Sequence, residues 1–148
     1  MIKSLSPTKK AYIAGFLDGD GSIYVRAKPN STYRYGFQIS PYIVLFQSVK
    51  SKEDFSKVTK LIGIGYMRER KDGILEYIIN RVEGIKEFLE AVGPFVILKK
   101  KQVMLMLQII SKKSKVEKES DFKILLGLVD SYRELNYSKR RINRTLTP

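Results

Sequence analysis

The sequence predicts an α+β fold of one domain, in which helices alternate with pairs of antiparallel strands. Helical spacing of apolar residues over 12–17 is followed by strict alternation over 22–28, which is the period of a strand. Turn residues at 29–32 and at 71–73 each lie between two strand-like stretches and indicate two hairpins. A helical pattern follows each hairpin, at about 52–62 and about 82–92. The expected order is αββαββα, with one four-stranded antiparallel sheet and further helices at the C-terminal end.

The first helix is expected to begin at Ser6 and Pro7, a favourable N-cap residue followed by proline at the first helical position. Gly15 and Gly19 lie four residues apart on this helix, so one face is almost bare backbone. Each glycine costs a helix about 1 kcal/mol relative to alanine, whereas a bare face allows a second helix to pack very closely. We therefore predict a closely packed helix pair, whose interface consists of Tyr12, Gly15, Phe16 and Gly19.

Two carboxylates lie at the end of this helix, where the helix dipole favours cations. Asp18 and Asp20 face the partial negative charge of the helix C-terminus, and Gly21 is expected to end the helix in the left-handed conformation. An isolated Asp-Gly pair is usually a solvated turn. A carboxylate held at a helix end can instead bind a divalent cation. The residues around Asp18 and Asp20 decide between a solvated turn and a cation site.

The predicted hairpins give the sheet one apolar and one polar face. In the first strand, Ile23, Val25 and Ala27 alternate with polar and basic residues. A second strand is expected over about 33–47, and a second, shorter hairpin over 65–80. With helices on the apolar face, the polar face is expected to be open. Its Arg, Gln and Tyr side chains are suited to the DNA major groove, which admits β-structure and offers bidentate contacts to Arg and Gln.

The C-terminal third is expected to be helical and basic. An apolar run ends in Lys99-Lys100-Lys101 and begins a helix that extends to about 110. Three lysines at a helix N-terminus oppose the dipole and suggest a nearby anion. A charged loop is expected over 112–120, an amphipathic helix over 122–136, and a basic tail over 138–148 that is either solvated or bound to phosphates. The core of the domain is expected to span about 6–136.

The charge balance indicates a polyanionic partner. The 148 residues include 28 Lys and Arg against 15 acids, a net charge of +13, and the isoelectric point is near 9.9. Nucleic acid is favoured over a membrane surface as the partner. No apolar stretch is long enough for a membrane helix, and the N-terminus lacks the apolar region of a signal peptide. We therefore expect no membrane partner and an intracellular location with access to DNA, in the cytoplasm or an organelle.

The chain contains no Cys and no His. Disulfides, thiolate metal sites and imidazole general bases are therefore excluded. Any metal must be held by oxygen, which favours Mg²⁺ or another hard divalent cation such as Mn²⁺. No small-molecule cofactor is expected.

The residues over 13–21, Ile-Ala-Gly-Phe-Leu-Asp-Gly-Asp-Gly, resemble the signature of the LAGLIDADG homing endonucleases, and Ser22-Ile23 follows as it often does in that family. A similar arrangement of elements extends over about 6–136. The resemblance is greatest to the single-motif members, which act as homodimers. The stretch 126–131 is not a second copy, because Tyr132 stands where the second acid would fall. The resemblance implies a metal-dependent double-strand cut in a long, partly palindromic site on double-stranded DNA.

The resemblance also implies the metal ligands. Asp20 would bind the divalent cation, with the carbonyl group of Gly19 nearby. Asp18 is expected to cap or support the packed helices rather than to bind metal. Mg²⁺ is the expected cofactor, and Ca²⁺ is expected to bind without supporting cleavage.

Three further catalytic residues follow from the same resemblance. Gln47 would orient water, and Lys99 would stabilise charge on the phosphate. Another basic residue is expected shortly after Gln47, where Lys50 and Lys52 are both candidates and Lys52 is preferred.

The predicted DNA-binding surface comprises the polar face of the sheet, the turn of the first hairpin and the basic tail. Its candidate residues are Tyr24, Arg26, Lys28, Asn30, Thr32, Tyr33, Arg34, Gln38, Ser40, Tyr42, Arg68, Arg70, Glu76, Lys139, Arg140 and Arg141. The same fold could also serve an RNA-binding intron maturase or a regulator that binds DNA without cleaving it. Because Asp20 and Gln47 are both present, cleavage is favoured over these two alternatives.

Overall fold

The structure, a computed structural model, describes residues 1–136, which contain five α-helices and four strands. The elements are α1 (Pro7–Asp20), β1 (Gly21–Pro29), β2 (Phe37–Ser48), α2 (Lys52–Ile62), β3 (Tyr66–Glu69), β4 (Ile74–Ile79), α3 (Val82–Val92), α4 (Lys100–Lys113) and α5 (Glu119–Glu134). Two compact units are distinguished within these residues. The first unit comprises Met1–Ile23 and Tyr42–Lys100, and the second comprises Tyr24–Pro41 and residues 101–136.

Strands β2 and β4 join the two hairpins into one antiparallel sheet with the order β1-β2-β4-β3. Their register runs from Ile43 opposite Ile79 to Ser48 opposite Ile74. The predicted α+β class and the four-stranded sheet are thereby confirmed.

Helix α1 begins as the sequence predicts. The Ser6 side chain accepts the backbone N–H of Lys9 at 3.3 Å, and Pro7 occupies the first helical position. One side of the helix packs against α3. Its buried side chains are Ile13, Ala14 and Leu17.

Gly21 does not adopt the left-handed conformation, and that prediction was wrong. Its φ of −116° and ψ of 169° are extended, and β1 begins at this residue without an intervening loop. Space, rather than backbone freedom, requires glycine here. A Cβ at this position would lie 2.7 Å from Leu17 Cδ1 and 2.8 Å from the Leu17 carbonyl oxygen. The chain therefore passes directly from helix to strand, with Asp20 as the last helical residue.

The alternation in β1 and β2 determines which face of each strand is buried. The predicted apolar set is buried in both strands, and comprises Ile23, Val25, Ala27, Phe37, Ile39, Ile43 and Leu45. The opposite face of β2 is less open than expected, because Ser40 is only 9% exposed and Val44 only 2%.

Strand β2 begins at Phe37 and not near Tyr33 as predicted. Residues 30–36 instead close into a loop, in which the Asn30 N–H donates to the Gly36 carbonyl at 2.8 Å. Gly36 has a φ of +81°, in the left-handed region that favours glycine, and this turns the chain into β2.

Helices α2 and α3 have the bounds that the sequence predicts. Gly63 ends α2 with a φ of +69°, and its N–H donates to the Thr59 carbonyl. Apolar side chains pack inside each unit, for example Leu45, Leu75 and Phe88 in the first and Val103, Met106 and Tyr132 in the second. Among residues 1–136, no helix combines the length and apolar character needed to cross a membrane.

The connection between α4 and α5 is shorter than the charged loop predicted over 112–120. Helix α4 continues through Lys113, since lysine is a good helix former, and only 114–118 lie outside the two helices. The Asp121 carboxylate accepts the N–H groups of Glu117 and Lys118, each at 3.2 Å, and this capping interaction starts α5 at Glu119.

Candidate active site

Asp20 is exposed at the last position of α1 and is joined directly to the first residue of β1. Gly19, the residue before it, is also exposed. Among residues 1–136, no group of three or more acidic side chains lies close enough together to hold a metal ion. This helix end offers a carboxylate and backbone carbonyl groups, which are hard oxygen donors of the kind that Mg²⁺ and Ca²⁺ prefer. The residue types therefore fit a hard divalent cation.

Asp18 binds the three residues that precede α4. Its Oδ2 accepts the N–H of Ile97 at 2.8 Å and of Leu98 at 3.0 Å, and its Oδ1 accepts the N–H of Lys99 at 3.0 Å. These N–H groups lie just before α4, in the turn that leads into the helix. Their acceptor comes from about eighty residues earlier in the chain, at the end of α1.

The Lys99 side chain also binds Asp18. Its Nζ donates to the carbonyl oxygen of Asp18 at 2.8 Å. The three lysines at this helix start suggested a nearby anion, and the Asp18 carboxylate is such an anion. Lys99 is therefore held beside the last turn of α1, which also carries Asp20.

The environment of Asp18 keeps its carboxyl group ionised. Partial burial on its own would raise the pKa. The hydrogen bonds from the N–H groups of residues 97–99 and the positive charge of Lys99 lower it by more, so the pKa of Asp18 lies below its usual value of 3.8. At neutral pH the group is a carboxylate and accepts all three hydrogen bonds.

Gln47 and Lys52 lie toward the same end of the sheet. Gln47 on β2 is opposite Leu75 on β4, which is opposite Glu69 on β3. Two strand spacings, about 10 Å, therefore separate Gln47 from Glu69. Lys52 Nζ lies 3.3 Å from Glu69 Oε1, and the Gln47 side chain accepts the N–H of Ser48 at 2.9 Å.

The two candidate basic residues after Gln47 differ in their surroundings. Lys52 is paired with Glu69, although both side chains are more than half exposed. Lys50 is also exposed, and within residues 1–136 its ammonium group forms no ion pair. The preference for Lys52 stays a prediction. All four residues predicted to be catalytic, Asp20, Gln47, Lys52 and Lys99, belong to the first unit.

Two of the arginines predicted to bind DNA are held by acidic neighbours. Arg68 lies opposite Glu76 in the sheet, with 3.4 Å between Arg68 Nε and Glu76 Oε1. Arg70 Nη2 lies 2.6 Å from Asp72 Oδ2 in the adjacent turn. DNA would have to compete with these carboxylates for both guanidinium groups.

The predicted contacts on β1 and β2 differ in accessibility. Arg26 is exposed, and its guanidinium carbon lies 5.5 Å from the centre of the Tyr24 ring, within the range of a cation–π interaction. Ser40 is buried, at 9% exposure. The partly exposed members are Tyr24, Lys28, Gln38 and Tyr42.

The loop of the first hairpin carries four of the predicted contacts. Asn30 Oδ1 accepts both the N–H and the hydroxyl of Thr32, at 3.0 Å and 2.6 Å. Tyr33 is 44% exposed. Arg34 Nη1 donates to the Glu117 carbonyl at 3.3 Å. The predicted tail contacts Lys139, Arg140 and Arg141 lie outside the described residues.

The glycine face of α1 is open in the single chain. A Cβ built on Gly15 or Gly19 would meet nothing within 4 Å. Tyr12 on the same helix is 59% exposed. Phe16 is partly exposed, and its ring stacks on Phe55 at a centroid distance of 5.6 Å. A second helix could therefore approach the backbone of this face closely.

Sequence reasoning did not identify the exposed apolar segment next to Asp18. The side chains of Ile97 and Leu98 are 81% and 76% exposed, while their N–H groups bind Asp18. The only signal was an apolar run ending in three lysines, which was interpreted as the start of a helix. The stacking of Tyr35 on Phe122, with 5.0 Å between ring centroids, was also not predicted, because the two residues are far apart in sequence.

Two solved structures of a homing endonuclease resemble this chain closely. I-CvuI of Chlorella vulgaris, in complex with the I-CreI target and 2 mM Mg, with the DNA not cleaved, gives a TM-score of 0.84 at 30% identity, covering 93% of this chain and 86% of that chain. The same protein with its own target and 2 mM Ca also gives 0.84, at 29% identity, covering 94% and 87%. This likeness defines the class as an endonuclease of the homing type.

The family follows from the sequence comparisons. The sequence model of the LAGLIDADG endonuclease family matches residues 13–103. DNA endonuclease I-CreI of Chlamydomonas reinhardtii is 36% identical over 131 residues, which cover 88% of this chain and 80% of that protein. The chain belongs to the LAGLIDADG endonuclease family.

Proposed function

We propose that two copies of this chain form a homodimer that makes a metal-dependent, site-specific double-strand cut in DNA. The observation that carries the proposal is the position of Asp20, an exposed carboxylate at the end of a helix whose glycine face is open. A cut in both strands requires two reactive sites. Packing α1 against α1 of a second copy about a two-fold axis supplies them.

Asp20 and the Gly19 carbonyl are the metal ligands in this proposal. Two Asp20 carboxylates near a two-fold axis would repel each other, and a divalent cation held by them would offset this repulsion. When bound, a divalent cation lowers the pKa of a water molecule and neutralises charge on the scissile phosphate. Mg²⁺ is the proposed ion, Mn²⁺ an effective substitute, and Ca²⁺ an ion that binds without supporting cleavage.

The other residues of the site act on water and on the phosphate. Lys99 has three N–H donors, of which one binds the Asp18 carbonyl, and the other two remain for a phosphate oxygen. The Gln47 amide orients the attacking water. Lys52 adds positive charge near the phosphate.

The polar face of the sheet binds the DNA major groove. Strand β1 has nine residues and spans about 30 Å, which corresponds to about nine base pairs per subunit. The two-fold symmetry then gives a partly palindromic target with two half-sites. The proposed contacts on this face and its loop are Tyr24, Arg26, Lys28, Asn30, Thr32, Tyr33, Arg34, Gln38, Ser40, Tyr42, Arg68, Arg70 and Glu76. Such an enzyme acts inside the cell, in the cytoplasm or in an organelle that contains DNA.

The test is selection of cleaved sites from a random DNA library in the presence of Mg²⁺, with wild type and Asp20→Asn in parallel. Wild type should enrich one partly palindromic site. The variant should bind that site with similar affinity without cutting it, because a neutral amide is a poor ligand for hard cations. Binding without cleavage by wild type would indicate a regulator, and preference for duplex RNA over duplex DNA would indicate a maturase. Either outcome would contradict the proposal.

A further inference from the structure

The loop between β1 and β2 has a defined shape of its own. The Asn30 N–H donates to the Gly36 carbonyl at 2.8 Å, the Tyr33 N–H to the Asn30 carbonyl at 3.1 Å, and the Gly36 N–H to the Tyr33 carbonyl at 3.0 Å. The Asn30 side chain also accepts two hydrogen bonds from Thr32. These bonds fix the loop internally, but they do not fix its direction relative to the rest of the second unit.

That direction is set by two adjacent loop residues. The Tyr35 ring stacks on the Phe122 ring with 5.0 Å between centroids and 28° between planes. Tyr35 Oη and Arg34 Nη1 both donate to the carbonyl oxygen of Glu117, at 3.4 Å and 3.3 Å. The Arg34 guanidinium carbon also lies 5.3 Å from the centre of the Tyr35 ring. Together, Arg34, Tyr35, Glu117 and Phe122 are called the loop anchor below.

Glu117 and Phe122, on which the loop docks, are themselves held in place. Asp121 accepts the N–H groups of Glu117 and Lys118, so the position of the Glu117 carbonyl is fixed by the start of α5. Phe122 is 8% exposed and is held within the second unit. A loop docked on a helix start with these restraints is more precisely oriented than a hairpin turn projecting into solvent.

The loop lies at the end of β1 that is distal to Asp20, about 30 Å along the strand. In the proposed complex this places it near the outer end of each half-site. Arg34 and Tyr35 belong to the second unit, whereas Asp20, Gln47, Lys52 and Lys99 belong to the first. A change in the loop anchor should therefore alter recognition of the outer base pairs and leave the cleavage chemistry intact.

We infer that the loop anchor is a specificity-determining device, in which Tyr35 and Phe122 are positioning residues for the base contacts of Asn30, Thr32 and Tyr33. This inference rests on the proposed function. Tyr35 and Phe122 themselves need not touch DNA. Their substitution should loosen the direction of the loop, and base preference should be lost only where the loop reads the site.

The experiment is a position-by-position cleavage profile of the dimer on a library in which each base pair of the preferred site is randomised in turn. Tyr35→Ala and Phe122→Leu are compared with wild type, and thermal melting confirms that each variant is folded. Ile124→Ala is the matched control, because this residue is 59% exposed on the same helix as Phe122. Both test variants should lose about tenfold in preference at the outermost base pairs, the size of one weakened base contact. Preference at the central positions and the rate on the best site should not change.

A double variant tests whether Tyr35 and Phe122 act through their contact with each other. If Tyr35 and Phe122 act as a pair, Tyr35→Ala combined with Phe122→Leu should lose no more preference than Tyr35→Ala alone. An unchanged profile, a uniform loss at all positions, or additive losses would overturn the inference. If wild type cleaves its site and the variants keep their outer preference, the inference fails while the proposed function stands. If wild type cleaves no DNA in the library, the proposed function and the inference that rests on it both fail.

Discussion

Lys99 donates two hydrogen bonds to Asp18, one from its backbone and one from its side chain. The Asp18 carboxylate accepts the Lys99 N–H at 3.0 Å, and the Lys99 ammonium donates to the Asp18 carbonyl at 2.8 Å. One residue therefore fixes both the backbone and the side chain of the lysine that we place at the phosphate. Because Asp18 is two residues from Asp20, this contact also ties the position of Lys99 to that of Asp20, the metal ligand that we propose.

Replacing Asp18 by Asn should lower the free energy of unfolding by about 1–2 kcal/mol at pH 7, the usual scale for hydrogen bonds to a charged group. The folded-state pKa of Asp18 is below 3.8. The stabilisation is therefore present above the unfolded pKa and is lost as the pH falls through the lower folded pKa. The difference between wild type and variant, measured by chemical denaturation, should shrink as the pH falls below about 4, the usual pKa of an aspartate.

Asp54→Asn is the control for this experiment. Asp54 is also an aspartate near a lysine, but its side chain is 82% exposed, and its pair with Lys57 should contribute less than about 1 kcal/mol. A difference for Asp18→Asn that stays constant with pH would exclude the carboxylate charge as the source of the stabilisation.

Replacing Gly19 by Leu should separate the two subunits without unfolding either of them. A side chain at this position meets nothing within 4 Å in the single chain, whereas overpacking a close helix pair costs about 1 to 3 kcal/mol. A displacement of Asp20 by about 1 Å can cost roughly a hundredfold in cleavage rate. Analytical ultracentrifugation should show a larger fraction of monomer, and thermal melting should show a folded chain.

Gly127→Leu is the matched substitution, because Gly127 is an exposed helical glycine in α5 with equally open space around it. It should leave dimerisation and cleavage unchanged. A monomeric Gly19→Leu variant that still cuts both strands of an asymmetric site would refute the placement of the two-fold axis on α1.

Substituting Lys52 and Lys50 separately should identify the basic residue that acts at the phosphate. Lys52→Ala should lower the single-turnover rate by about a hundredfold, the usual cost of losing one electrostatic contact to a developing charge. Lys50→Ala should have little effect. Stability should change by less than about 1 kcal/mol in both, since the Lys52–Glu69 pair is exposed. Lys57→Ala, on the same helix as Lys52, serves as the control, and the reverse order of effects would reassign the role to Lys50.

Replacing Glu76 by Gln should strengthen DNA binding and reduce its selectivity. The Glu76 side chain is 16% exposed and holds Arg68 in the free protein, so the neutral variant releases a guanidinium group for the DNA. The salt dependence of binding should steepen by about one counterion per subunit. Affinity measured against salt concentration, on the preferred site and on random DNA, checks both effects. An unchanged salt slope would show that Arg68 remains on the protein in the complex.

The features that the sequence predicted correctly depend on neighbouring residues. The Ser6 cap, the alternation of Ile23, Val25 and Ala27, and the end of α2 at Gly63 are determined by local hydrogen bonds and side-chain periods. In the same way, the short motif around Asp20 is enough to place this carboxylate at the end of a helix.

The features that were missed depend on contacts between distant parts of the chain. The partner of Asp18 lies 79 to 81 positions away, and no local pattern identifies it. Gly21 was interpreted through backbone freedom, although the space beside Leu17 is what requires it. Strand β2 was expected to begin near Tyr33, but the hydrogen bonds of Asn30 hold that segment as a loop.

The direct passage from α1 to β1 fixes the spacing between Asp20 and the residues of the first strand. Asp20 ends the helix and Gly21 begins the strand, so each residue of β1 is a set number of strand positions from the carboxylate that we propose as the metal ligand. Inserting one residue at this junction would turn the polar face of β1 inward and its apolar face outward. Substitutions of single side chains along β1 can therefore change the DNA sequence that is recognised, while the position of Asp20 stays the same.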